Sequence, residues 1–141
     1  MKLKIYNFSL LAFFFILLSG CTSIAPFNQR AYEQATSLKV DALILLNYAA
    51  EPYAKHEQKI EILKINLEKA YEYAKGRNKN EITTQQWLII KDPSRNSLGG
   101  VLKKWESEIV LNKVFIEESK QLVSDAFDAV ISLESGKIRK Q

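Results

Sequence analysis

One cysteine and one histidine occur among 141 residues, and each scarcity removes a class of chemistry. A single cysteine, Cys21, cannot close an intrachain disulfide. A lone histidine, His56, cannot supply the converging imidazole and thiolate ligands that a transition-metal site wants, so no metal and no free cofactor is expected. Glycine is sparse too, and its one tandem pair, Gly99-Gly100, lacks the spacing and the following Lys-Ser or Lys-Thr of a phosphate loop. No serine stands in a nucleophile-elbow context. Sustained alternation of apolar and polar residues is missing, which argues against any sheet, and there is no internal repeat or low-complexity tract. The formal net charge is only +4, without a concentrated basic stripe, so nucleic acid is not an expected partner. Lys137, Arg139 and Lys140 read as a solvated basic tail over residues 137–141.

What is present begins with MKLKIYNFSLLAFFFILLSGC. Lys2 and Lys4 make a positive end, and an unbroken apolar run follows from Leu10 to Leu18. That run is short of the roughly 20 apolar residues a stable transmembrane helix needs, which is the shape of a secretory signal. Leu18-Ser19-Gly20-Cys21 then closes the segment and resembles the lipobox of bacterial lipoproteins. The resemblance covers residues 1–21 and implies cleavage between Gly20 and Cys21, a thioether-linked diacylglyceryl group on Cys21, and an acyl chain such as palmitate on the new amino terminus. It implies a lipid membrane as a partner. Thr22, in place of aspartate after the cysteine, implies by similarity to enteric-type lipoproteins an outer-membrane address facing the periplasm. Without Lys2 and Lys4 the mature chain has 18 basic against 16 acidic residues.

Residues 21–30 contain Ser, Pro and Asn with little periodicity and read as the lipidated tether, reaching about 30 Å at most. From residue 31 to 136 the pattern is that of a helical bundle. Ala31, Ala35, Leu38, Ala42, Leu45 and Ala49 recur at steps of four and three, widened by Leu43 and Leu46. Tyr53, His56, Ile60, Leu63, Leu67, Ala70 and Ala74 form a second register, slipped by one place at Pro52. A tight reversal near residues 50–53 is preferred, with one kinked helix as the alternative. Lys75-Gly76 marks a stop with glycine free to go left-handed. Thr83 with Gln86 fits a capping box for a short helix through Trp87 and Ile90. Leu98, Leu102, Trp105 and Ile109 make another. Asn112 opens a last long helix whose face includes Phe115, Leu122, Ala126, Ala129 and Leu133, widened by Val123, Phe127 and Val130, with Gly136 at its end. The expected fold is all-α, with three long helices and one or two short ones after the signal helix.

No constellation identifies a reaction. His56 reads as a partly buried histidine completing a bundle end. The many glutamates are interleaved with lysines as on solvated helix faces, so none stands out as a catalytic pair. Tyr71, Tyr73, Trp87 and Trp105 are the candidate interaction patch, because tryptophan and tyrosine carry much interface energy; the alternative is that the tryptophans plug the bundle end. The sequence therefore points to a non-catalytic lipoprotein that binds another envelope protein or steadies an envelope assembly. An inhibitor or immunity lipoprotein against a toxin, muralytic enzyme or phage component is the alternative. A cell-wall glycan hydrolase is the remote one.

Overall fold

The computed structural model describes residues 24–137. The signal segment, the cleavage position Gly20 and the lipidation position Cys21 lie outside the described residues, as do Arg139 and Lys140. Five helices follow in order: α1 (Gln29–Leu46), α2 (Glu57–Lys75), α3 (Glu81–Lys91), α4 (Leu98–Glu108) and α5 (Lys113–Gly136). Three are long, of 18, 19 and 24 residues, and two are short, of 11 each. No strand occurs among the described residues.

The chain runs up, down, up and down. α1 rises, α2 descends beside it, α3 and α4 share the third column end to end, and α5 descends against α1 and α3. Both registers of the first two helices are buried as expected, and Pro52 lies in a true reversal. The chain leaves α1 at Leu46, turns, makes a single 3-10 turn at Tyr53–Lys55 and re-enters a helix at Glu57. Proline fixes its own φ and lacks an N–H, so it suits this link better than a helix interior.

The core pairs small against large. Ala35, Ala42, Ala49, Ala70 and Ala74 are almost fully buried on α1, its following turn and α2, while Phe127, Trp87 and Trp105 supply bulk from the other columns. Trp87 and Phe127 meet edge to face, their ring centres 5.9 Å apart. Alanine stripes let helix backbones approach, and the large rings fill the space this leaves elsewhere.

Several local expectations are corrected. The first helix starts at Gln29, capped by Asn28, whose Oδ1 accepts from Ala31 N–H at 2.9 Å. Residues 25–30 are not a loose segment, because Ala25 is buried and its N–H donates to Lys79 O at 2.7 Å. Gly76 stays right-handed at φ −73°, and Lys79 takes the left-handed turn at φ 58°. Thr83 does not start its helix; α3 begins at Glu81, and Thr83 is buried for a tertiary contact described below. The inward stripe of α5 is Ile116, Ser119, Val123, Phe127, Val130 and Glu134, whereas Leu122 is 52% exposed. Two polar residues on that stripe disguise it in a hydrophobicity pattern. Ile109 is not part of the α4 face: the helix ends at Glu108, and Ile109 sits exposed at φ 68°.

Candidate interaction face

The four aromatic residues expected to form a patch are not gathered into one. Trp87 and Trp105 are core residues, 3% and 0% exposed. Trp105 closes the end of the bundle away from the N-terminus, donating from Nε1 to Glu51 O at 2.9 Å and meeting Tyr53 edge to face. Tyr71 is half-buried, with the Lys91 ammonium 4.3 Å from its ring centre. Tyr73 is half-buried at the other end of the fold, donating to Asn28 Oδ1 at 3.1 Å beneath the Arg30 guanidinium. The tryptophans plug the bundle, and the tyrosines brace neighbouring segments.

His56 sits in the same bundle end as Trp105. It is 8% exposed, stacks on Tyr48 with ring centres 4.9 Å apart, and places Nε2 3.2 Å from the Glu51 carboxylate. A histidine–carboxylate pair can hold or pass a proton. This one lines neither of the two grooves described below, and its ring lies between Tyr48 and the buried Trp105. Its geometry is that of a ring oriented by its partners.

The opposite end contains a polar cluster that sequence reasoning missed. Glu134 is fully buried, and its carboxylate accepts from Arg77 Nη1 at 3.2 Å and from Lys137 Nζ. Lys137 also donates to Asn80 Oδ1 at 2.7 Å and to Thr83 Oγ1 at 3.3 Å, and Asn80 Nδ2 donates to Ala74 O at 2.9 Å. Arg77 Nη2 reaches the carbonyl of Pro26. Burial pushes the Lys137 ammonium below its ordinary pKa of 10.5. Lys137 is thus not the start of a solvated tail. The cluster clamps three separate parts of the chain: the N-terminal segment, the link between α2 and α3, and the end of α5. One signal was present, since Glu134 falls in step with Val123, Phe127 and Val130.

Among the described residues there is no group of three or more His, Cys, Asp or Glu side chains poised around a common point for a metal ion. No described helix is long and apolar enough to cross a membrane. A groove of about 600 Å³ between α2, α3 and α4 has Leu67 and Leu102 at its floor. Its charges are mixed: Lys91 pairs with Glu68, and Asp92 is held below the usual carboxylate range by hydrogen bonds from the Ser94 N–H and hydroxyl.

Large aliphatic residues face solvent on the outer side of α1 and α2, as Val114 and Leu122 also do on α5. Val40 and Ile44 on α1 and Ile62 and Ile65 on α2 are each 52–54% exposed. Ile44 and Ile62 line one groove of about 330 Å³, with Leu45 and Leu63 beneath and Asp41, Tyr48, Lys59 and Asn66 around them. The 40–44 spacing comes from a second apolar stripe on α1, set apart from the alanine-lined core stripe. A helix that packs by one face alone needs no valine or isoleucine on the other. Val40 lies toward α5 in a separate groove with Glu117 and Lys120, so the exposed aliphatics that meet are Ile44 and Ile62, and an apolar groove with a polar rim is the form a contact site takes. The rim around Ile44 and Ile62 carries both signs of charge, Asp41 and Lys59, which suits a protein partner.

No protein-family model, curated protein or solved structure matches this chain. The class defined by the fold is therefore stated on its own terms: a small all-α up-and-down bundle whose third column is split into two short helices.

Proposed function

We propose that this chain is a bacterial lipoprotein, acylated on Cys21 after cleavage at Gly20, that acts without catalysis as a docking module for another envelope protein. Its lipobox supports the first half, and an outer-membrane position facing the periplasm follows from Thr22 by the same resemblance. The observation that carries the second half is the groove between α1 and α2 where Ile44 and Ile62 meet, each 52% exposed. A lipid surface is a poorer match for that face, because membrane-lying helices set lysine and arginine along the rim and this rim is mixed.

Photo-crosslinking residues placed at Ile44 and Ile62 in cells expressing the full precursor test this reading, with Glu118 as an exposed control. A discrete product with a second protein is expected from Ile44 and Ile62, absent from Glu118 and lost in Cys21→Ser. A product from the control alone, or one at twice the mass of the chain itself, overturns the proposed partner. A mature N-terminus that mass spectrometry finds unacylated overturns the anchor.

A further inference from the structure

Two charges on the rim of the α1–α2 groove are left without ion partners. Asp41 and Lys59 both line it, and among the described residues neither forms an ion pair. Cations close by on the same helices do: Lys39 on α1 meets Asp128 at 2.6 Å, and Lys64 on α2 meets Glu61 at 2.8 Å. Asp41 and Lys59 do not pair with each other, because they stand at opposite ends of the groove. The Lys59 ammonium lies 5.1 Å from the Tyr48 ring centre, and Tyr48 is about two turns beyond Asp41, on the order of 10 Å along the helix axis. Asn66 lies about two turns beyond Lys59 on the descending α2 and so falls at the Asp41 end.

The floor between these ends is apolar and shallow. Ile44 and Ile62 meet there over Leu45 and Leu63, yet each isoleucine keeps 52% of its surface exposed. A small ligand in such a place would stay largely in water, whereas binding pockets cover about 70–90% of their ligands. An extended peptide gains little, because α1 and α2 use their backbone N–H and C=O groups within their own helices and offer no strand edge. A helix arrives with its backbone already satisfied. Laid into the furrow between two others, it covers both isoleucines by ordinary ridge-and-groove packing.

We propose that the groove receives an amphipathic helix of the partner protein, about two turns of which lie on Ile44 and Ile62. That helix carries apolar residues at i, i+4 and i+7, a cation at the end over Asp41 and a carboxylate at the end over Lys59. The inference rests on the docking role proposed above and supplies the chemistry of the partner. Opposite charges at the two ends select against helices that are basic or acidic throughout, since a like charge over either rim residue repels.

The mature chain, which contains every described residue, is titrated with three stapled helical peptides and followed through its isoleucine and leucine methyl signals by NMR. Each peptide has leucines at i, i+4 and i+7, and they differ only in their end residues: Lys with Glu, Lys with Lys, or Glu with Glu. The mixed peptide is expected to shift Ile44 and Ile62 and to bind about three- to fivefold more tightly than either of the others. In Asp41→Lys, whose rim is basic at both ends, the peptide with two glutamates is expected to bind best. Asp41 is exposed, and unchanged Leu67 and Leu102 signals check that the variant folds. No shift at Ile44 and Ile62 with any peptide overturns the helical occupant, as does equal binding by an unstapled copy of the mixed peptide broken with proline. Equal affinities, or an order unmoved by Asp41→Lys, overturn the role of the rim charges. Self-association of the chain that Ile44→Asp abolishes gives the groove to a second copy and overturns the proposal as well. Crosslinking from Ile44 and Ile62 in cells reports separately whether a protein sits there at all. A crosslink without peptide binding leaves the docking role standing and removes the helix.

Discussion

At the scale of single residues, the decisive group is Glu134. A carboxylate with no exposed surface is tolerated only because Arg77 and Lys137 both donate to it and because Lys137's remaining bonds are met by Asn80 and Thr83. Removing the acid strands two cations in a poorly solvated place. Glu134→Ala is therefore expected to cost about 3 to 5 kcal/mol in denaturant unfolding, the range for breaking a buried pair. The solvent-facing pair Lys104–Glu108 has the ordinary helical spacing, and Glu108→Ala is expected to change stability by less than about 0.5 kcal/mol. Equal costs would show that the cluster is solvated in solution. In sequence these two pairs look alike, lysine and glutamate three or four places apart. Only the three-dimensional neighbours separate them.

At the scale of elements, the glycine pair shows where helix propensity and tertiary fit disagree. Gly99 and Gly100 open α4, where alanine would be the better helix former by about 1 kcal/mol each. A Cβ on Gly99 would overlap the Lys91 carbonyl, and one on Gly100 the Arg95 carbonyl. These are backbone atoms of the end of α3 and of its link to α4, so they cannot swing away as a side chain would. Gly99→Ala is expected to destabilise by about 1 to 3 kcal/mol despite the gain in propensity, read as a lower denaturation midpoint. A rise in midpoint would mean that the α3–α4 junction is looser than described. The other end of α4 stores strain. Ile109 is a β-branched residue at φ 68°, closed by a Val110 N–H bond to Glu108 O at 2.8 Å, a rare and strained γ-turn. Its carbonyl accepts from Tyr53 N–H at 2.9 Å, and Leu111 N–H donates to Ala49 O at 2.8 Å. Those bonds pin the α4–α5 link to the α1–α2 turn and hold the strained residue in place.

At the scale of the whole molecule, one continuous core joins all five helices from Ala35 to Val130, so the domain is expected to unfold as a unit. The mature chain should show a single denaturant transition with coincident helical and tryptophan signals, since Trp87 and Trp105 both lie inside that core. Leu67→Ala should lower the midpoint by the equivalent of about 2 to 5 kcal/mol without changing the slope. Two separated transitions would divide α3 and α4 from the rest.

The sequence by itself determined the helical class, the three long helices, and the buried registers of α1 and α2, while it left open whether one or two short helices follow and whether Pro52 turns or kinks the chain. It could do so because those stripes are made of alanine, leucine and isoleucine at a clean helical period, and a period is a local property. Asn112 as the cap of the last helix was legible for the same reason, its Oδ1 accepting from Phe115 N–H at 2.9 Å. The tertiary structure alone decided which aromatic residues are interior, which exposed apolar residues share a groove, and where the chain is clamped. Trp87 and Trp105 are equally compatible with a surface patch or a plug until the third column is placed. Ile44 and Ile62 fall outside both core registers, and that they meet in one groove follows only from α1 packing beside α2. Lys137 reads as tail until Glu134, Asn80 and Thr83 surround it. Each of these depends on contacts between residues far apart in the chain, and burial is a property of those contacts rather than of any one segment.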